Sequence, residues 1–318
     1  MKILYRVYVI ICLAIIIAGC SGNRDTAESG QTGTITISGA WALYPLAVKW
    51  AEEYMKINPG IRLEVSAGGA GKGMSDVLAN MVDIGMISRE INQAEIAKGV
   101  WWIPVAKDAV VVTINAENPY LAELLSGGMT RELLREIWIK NSMPTWEFLL
   151  HKQGNSPLHV YTRSDACGAA QTWAAYMGGK QEDLAGVGVY GDPGLAEAVK
   201  QDRFGIGFNN INYAYDPAGG TVIRGLAVLP LDLDNNGRIE QAEDFYSLKT
   251  TLLGAIRRGD YPSPPARELY FSSNGKPAKP PVIAFIRWIL TEGQRYIPEA
   301  GYIPVSPSGL KQALSTLE

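Results

Sequence analysis

A chain of 318 residues, 47% hydrophobic and 19% charged, can bury a core of about two domains, which excludes a disordered tail and a polytopic membrane protein. Its formal net charge of −3 comes without a basic run for nucleic acid or an acidic tail for a polycation. Cys12 and Cys20 sit at the N-terminus, so Cys167 is the one cysteine of the body and no internal disulfide can form there.

In chain order, Lys2 and Arg6 precede an apolar run over 7–18 that is short for a membrane span and ends in small residues. Ile17-Ala18-Gly19-Cys20 has the form of a lipobox: residues 1–19 read as a lipoprotein signal peptide and Cys20 as the lipidated residue. Two acyl chains hold a protein stably at a membrane, so an extracytoplasmic, membrane-anchored location is expected. The stretch 20–33 is polar and glycine-rich and reads as a flexible tether.

The body alternates strand and helix signals. Residues 34–38 alternate at period two, 45–55 spread apolar residues as a helix does, and 61–65 form a second strand. The turn 68–73 feeds a helix over 74–81, followed by a strand over 83–87. Residues 108–114 are an aliphatic run suited to a fully buried strand. Then come an amphipathic stretch over 130–138, a strand at 159–161, a helix over 171–177, a strand at 205–208 and a helix over 281–290. This order predicts an α/β fold.

Three strand-to-helix turns, 39–44, 68–73 and 163–169, place small residues ahead of helix N-termini, where unpaired N–H groups and the positive dipole end favour an anion. Arg163 adds a fork for a tetrahedral oxyanion, and Arg89 is a second candidate cation. The segments 39–46, 68–73, Val82-Asp83-Ile84-Gly85 with Ser88-Arg89, Arg163-Ser164-Asp165, and 205–208, with the C-terminal patterns 269–276, 292–294 and 300–302, resemble the phosphate-binding protein family of ABC importers. The resemblance spans nearly the whole mature chain.

That resemblance implies a two-lobed type II periplasmic-binding-protein fold with a hinge between lobes. It puts 33–107 and 216–318 in lobe 1, with an insertion at about 225–261, and 108–215 in lobe 2. It implies a ligand site at Ala42, Leu43, Tyr44, Ala70, Gly71, Ser88, Arg89, Arg163, Cys167, Gly168 and Ala169. It also implies an inorganic oxyanion ligand, an ABC permease partner and a monomer without catalytic activity. Members usually carry hydroxyl side chains at 42 or 43, 70, 167 and 169, where this chain has none. Sulfate, tungstate, molybdate or a small carboxylate therefore stand beside phosphate as ligands, with Tyr44, Ser164, Lys72 or Arg89 as substitute donors. A surface signalling or adhesion protein on the same fold is the alternative.

Residues 232–243 fit the twelve-residue calcium-loop template: Asp232, Asp234 and Asn236 at positions 1, 3 and 5, Gly237 at 6, Arg238 through its carbonyl at 7, Glu240 at 9 and Glu243 at 12. Pro230 beside the loop argues against a flanking helix, so an isolated, structural calcium site is expected, with calcium as cofactor. His151 and His159 lack converging ligands and read as loop residues. The tryptophan pair 101–102 and Trp138, Trp146 and Trp173 read as packing residues, and Asp165 as the group that holds Arg163.

Overall fold

The computed structural model describes residues 32–318; the expected signal peptide, Cys20 and nearly all of the tether lie outside them. Among the described residues nine strands form one curled sheet: β1 (Gly33–Gly39), β2 (Ile61–Ala67), β3 (Ile84–Ile87), β4 (Val100–Asn115), β5 (His159–Arg163), β6 (Val187–Val189), β7 (Gly205–Asn210), β8 (Leu226–Leu229) and β9 (Ala266–Asn274). The order is β2-β1-β3-β9-β4-β7-β5-β6, with β8 also paired to β4. Within each lobe the strands followed by helices pair in parallel, β1 with β2 and β3, and β5 with β6 and β7. Parallel neighbours need such crossover connections.

β4 joins the lobes. Its first part, Val100 to Ala109, pairs with β9, and from Val110 onward it pairs with β7 and β8. The aliphatic run Val110, Val111, Val112 and Ile114 is buried throughout, as a strand covered on both faces requires. Two separate cores meet at this strand. Ala106 belongs to the first, around Ile35, Trp50, Phe271 and Phe285, and Ala109 to the second, around Trp138, Trp173 and Phe208. The chain returns between Ala266, in the second core, and Leu269, in the first. The architecture is thus the two-lobed α/β fold with a hinge that the resemblance implied.

The lobe boundaries differ from expectation in one respect. Residues 216–318 were expected in the first lobe, yet Val228, Leu229, Phe245, Tyr246, Leu252 and Tyr261 pack in the second core. β8 is hydrogen-bonded to the second-lobe part of β4. The insertion at 225–261 is therefore part of the second lobe, because which core an apolar run fills depends on the strand it pairs with, not on its place in the chain.

Two helices also begin earlier than their apolar periodicity suggests. Ala70–Leu78 and Gly168–Tyr176 start inside the glycine-rich turns, so the turns are themselves the first helical turns. Trp138, Trp146 and Trp173 are fully buried in the second core, whereas Trp101 and Trp102 are half-buried beside the first.

Candidate functional site

The three turns meet where the lobes touch. The first ends in helix Tyr44–Ile57, the second in helix Ala70–Leu78 and the third in helix Gly168–Tyr176. Contact across the cleft is direct: the Gly71 N–H donates to the Ala166 carbonyl at 3.0 Å. A β-carbon at Gly69 would fall 2.7 Å from Asp165 Oδ2, and one at Gly168 only 2.1 Å from the Ser88 carbonyl oxygen. Glycine at 168 is needed for this approach, and Ser88 is itself buried. Among the described residues the backbone N–H groups of Ala42, Ala70, Gly168 and Ala169 carry no hydrogen bond. Those of Leu43 and Tyr44 are spent inside their own turn, on Ala40 and Trp41 carbonyls at 3.1 and 3.2 Å. Free N–H groups at helix starts, with the dipole behind them, form an anion-accepting surface.

Arg163, at the end of β5, is the buried cation of this surface. Its Nε and Nη2 donate to Asp165 at 2.8 and 2.6 Å, and its Nη1 donates to Asp192. One hydrogen on each terminal nitrogen remains for a ligand. Burial alone would lower the Arg163 pKa; the Asp192 and Asp165 carboxylates outweigh it and hold the guanidinium charged. One guanidinium against two carboxylates leaves the cluster at a formal charge of −1. The sequence reading found Asp165 in its holding role but missed Asp192, which lies 29 positions from Arg163. Its only sequence signal is the Gly191-Asp192-Pro193 turn opening helix Gly191–Gln201.

Cys167 caps its helix by accepting the Ala170 N–H at 3.4 Å, and burial pushes its thiol up to about 12, so it is a neutral cap. Three of the proposed substitute donors are engaged or turned away. Arg89 holds Glu95 through both terminal nitrogens at 2.6 and 2.8 Å, Lys72 pairs with Asp76, and Ser164 is exposed. Glu95 also closes the capping box of helix Gln93–Ala97, which fixes that pair locally. Tyr44 keeps its place at the site, with Tyr213 close by. Burial, and then the neighbouring Asp192, raise the Tyr213 phenol, so it stays a protonated donor and gives its hydrogen bond to the Trp41 carbonyl at 3.0 Å.

A second buried cation lies at the hinge and was not foreseen. Arg267, in β9, pairs with Asp108 of β4 at 3.0 Å and donates to Thr172 at 3.1 Å and to Asn210. The Asn210 N–H in turn donates to Asp192 at 3.1 Å, so hydrogen bonds run unbroken from the anion site to the hinge strands. Burial pushes Asp108 up to about 6 against the pull of Arg267.

In the loop 232–243, carboxylate oxygens of Asp232, Asp234 and Glu243 lie within 4.8 Å of one another. Asp232 and Glu243 are buried. Asp232 accepts the Asn236 and Gly237 N–H groups at 3.2 and 2.9 Å, and Asn235 and Gly237 take φ of 60° and 76° to make the bend. Asn236 and Glu240 are at the exposed rim, where the Asn236 amide reaches Glu240 at 3.4 Å, and the Arg238 side chain points outward beside Glu240. β8 precedes the loop, and the next helix, Lys249–Arg258, starts six residues past its end. The loop is tied to the second lobe by the Ile239 N–H on the Ser126 carbonyl at 2.8 Å. His159 is held by Asp202 at 2.7 Å on the surface.

A family model described as a PBP superfamily domain matches residues 25–292. The phosphate-binding protein PstS of Xylella fastidiosa is 24% identical, covering 98% of this chain and 97% of its own. Protein SphX of Synechococcus elongatus is 26% identical, covering 87% and 79%. Among solved structures, a phosphate ABC transporter substrate-binding protein of Clostridium perfringens with bound phosphate superposes with a TM-score of 0.69, over 86% of this chain and 100% of that one, at 19% identity, a likeness of fold.

Proposed function

This chain belongs to the PBP superfamily, and from that premise we propose that it is an extracytoplasmic receptor that delivers an oxyanion, with phosphate first, to an ABC-type importer. The observation that carries the reading is the meeting of two helix N-termini that have free N–H groups, and of the free Ala42 N–H in the turn before a third helix, around one buried arginine. Arg163 and the N–H groups of Ala42, Ala70, Gly168 and Ala169 bind the oxygens, Ser88 adds a hydroxyl, and lobe closure about β4 removes water from them. Exclusion of water strengthens each of these bonds. The relatives are named as binding proteins, so binding without turnover is the activity assigned. Lipidation of Cys20 would keep the receptor at the membrane beside its permease.

Calorimetric titration of the soluble body should give saturable binding of phosphate, with sulfate, molybdate and tungstate as the competing arms. Sulfate or molybdate binding more tightly than phosphate would reassign the ligand. Failure of all four to bind would leave the signalling or adhesion alternative.

We further propose that the loop 232–243 holds calcium. Asp232 and Glu243 are buried acids with no cationic partner among the described residues, a charge imbalance that a hard cation relieves. Asp232, Asp234, Asn236, Glu243 and the Arg238 carbonyl would supply the oxygen shell, with Glu240 at its rim. Calcium at a hundred times its Kd adds about 2.7 kcal/mol, a rise of roughly 5–10 °C in melting temperature. Melting curves with calcium and with a chelator measure it, and Asp232→Asn should abolish the difference. Identical curves for the unmodified protein would remove calcium from the assignment.

A further inference from the structure

Trp41 stands in the first turn, between β1 and helix Tyr44–Ile57, and reaches across the cleft. Its ring makes edge contacts with Tyr44 at 6.2 Å in its own lobe and with Tyr190 at 6.3 Å in the other. It lies directly on Gly191: a β-carbon there would come within 3.2 Å of the ring and 3.3 Å of Nε1. Gly191 belongs to the arginine clamp, since its N–H donates to Asp165 at 3.1 Å and its neighbour Asp192 takes Arg163 Nη1. The indole therefore rests against the chain that holds the binding cation.

Its N–H is one of three unpaired buried indole donors among the described residues, and it is the one in the turns that meet at the cleft. Trp41 Nε1 is buried and has no acceptor among the described residues. A buried donor left unpaired costs about 1–3 kcal/mol. The indoles of Trp50, Trp138 and Trp146 find carbonyls at 2.8, 3.1 and 3.0 Å. Those of Trp101 and Trp173 are also unpaired but belong to the two lobe interiors rather than to the turns that meet at the cleft. The same site lacks hydroxyl side chains at Ala42, Leu43, Ala70, Cys167 and Ala169, so a bound oxyanion has unfilled oxygens and the site has an unfilled donor.

We propose that the Trp41 indole N–H donates to the bound oxyanion, in place of a hydroxyl that the turns do not provide, while its ring latches the second lobe through Gly191. The inference rests on the receptor reading and adds a neutral donor to it. An indole N–H donates only, so it favours ligands with an accepting oxygen whatever their protonation state.

The test titrates phosphate into the wild-type body and into Trp41→Phe, which keeps an aromatic ring in the latch and removes the donor. A Kd about tenfold weaker is expected, at a melting temperature without ligand no lower than that of the wild type, since the unpaired donor is removed. In a 1H–15N spectrum, the indole peak that Trp41→Phe deletes should be the one among the eight tryptophans that shifts downfield when phosphate is added. If Trp41→Phe binds as the wild type does, or that peak stays in place at saturation, the donor role is overturned and the receptor reading survives. If the wild type binds no oxyanion, both fall.

Discussion

Arg163→Ala is expected to remove measurable oxyanion binding and also to destabilise the second lobe. The binding loss follows from the two hydrogens that Arg163 keeps free, since charge-assisted bonds contribute about 1.5–3 kcal/mol each, so affinity should fall by at least about a hundredfold. The stability loss has a separate cause. The Asp165 and Asp192 side chains are 7% and 1% exposed, and without the guanidinium each is a buried acid whose remaining N–H partner, Gly191 or Asn210, is neutral. Breaking a buried pair in this way costs about 3–5 kcal/mol. A double-mutant cycle separates the two effects: Arg163→Ala with Asp192→Asn should melt higher than Arg163→Ala alone, yet bind no better. Arg163→Ala within threefold of wild-type affinity would exclude this arginine as the binding cation.

Gly168→Ala should block closure and leave the fold intact. Residue 168 begins a helix and its φ is not positive, so alanine meets no backbone strain there. The added carbon would instead lie 2.1 Å from the Ser88 carbonyl oxygen and 2.3 Å from its hydroxyl, both on the opposite lobe. Relief is available by opening the lobes, which disturbs neither core. Overpacking of this kind costs about 1–3 kcal/mol, so phosphate should bind roughly 10- to 100-fold more weakly at an unchanged melting temperature without ligand. Solution scattering with phosphate should show a larger radius of gyration than the wild type. Full affinity with a compact complex would mean that the closed contact between Gly168 and Ser88 does not form.

Both predictions rest on residues that were partly legible in the sequence. Arg163 beside a small-residue turn and Gly168 at a helix start could be named in advance, because helix N-termini and arginine forks are local chemistry. The competition for those groups could not. Lys72 and Arg89 looked like donors until Asp76, four residues on, and Glu95, six residues on, were seen to take them. Leu43 and Tyr44 looked like the first turn's donors, but their N–H groups close that turn. Asp192 and Trp41 were invisible as site residues, one a helix-start acid and the other an aromatic in a turn, until folding set both against the Arg163 clamp.

Taken alone, the sequence determined the strand–helix alternation, the three turns and the spacing of acids in the loop 232–243, because periodicity, helix-start chemistry and loop templates are set over a few residues. It also marked 108–114 as a buried strand. The tertiary structure decided that this strand is half of the hinge, that 226–266 packs with the second lobe, and that the cation is clamped by two acids. Among the described residues it left the Trp41 indole N–H and the backbone N–H groups of Ala42, Ala70, Gly168 and Ala169 free at the cleft. These depend on which distant groups meet, and burial makes each such pairing exclusive: a donor spent on one partner is lost to the ligand.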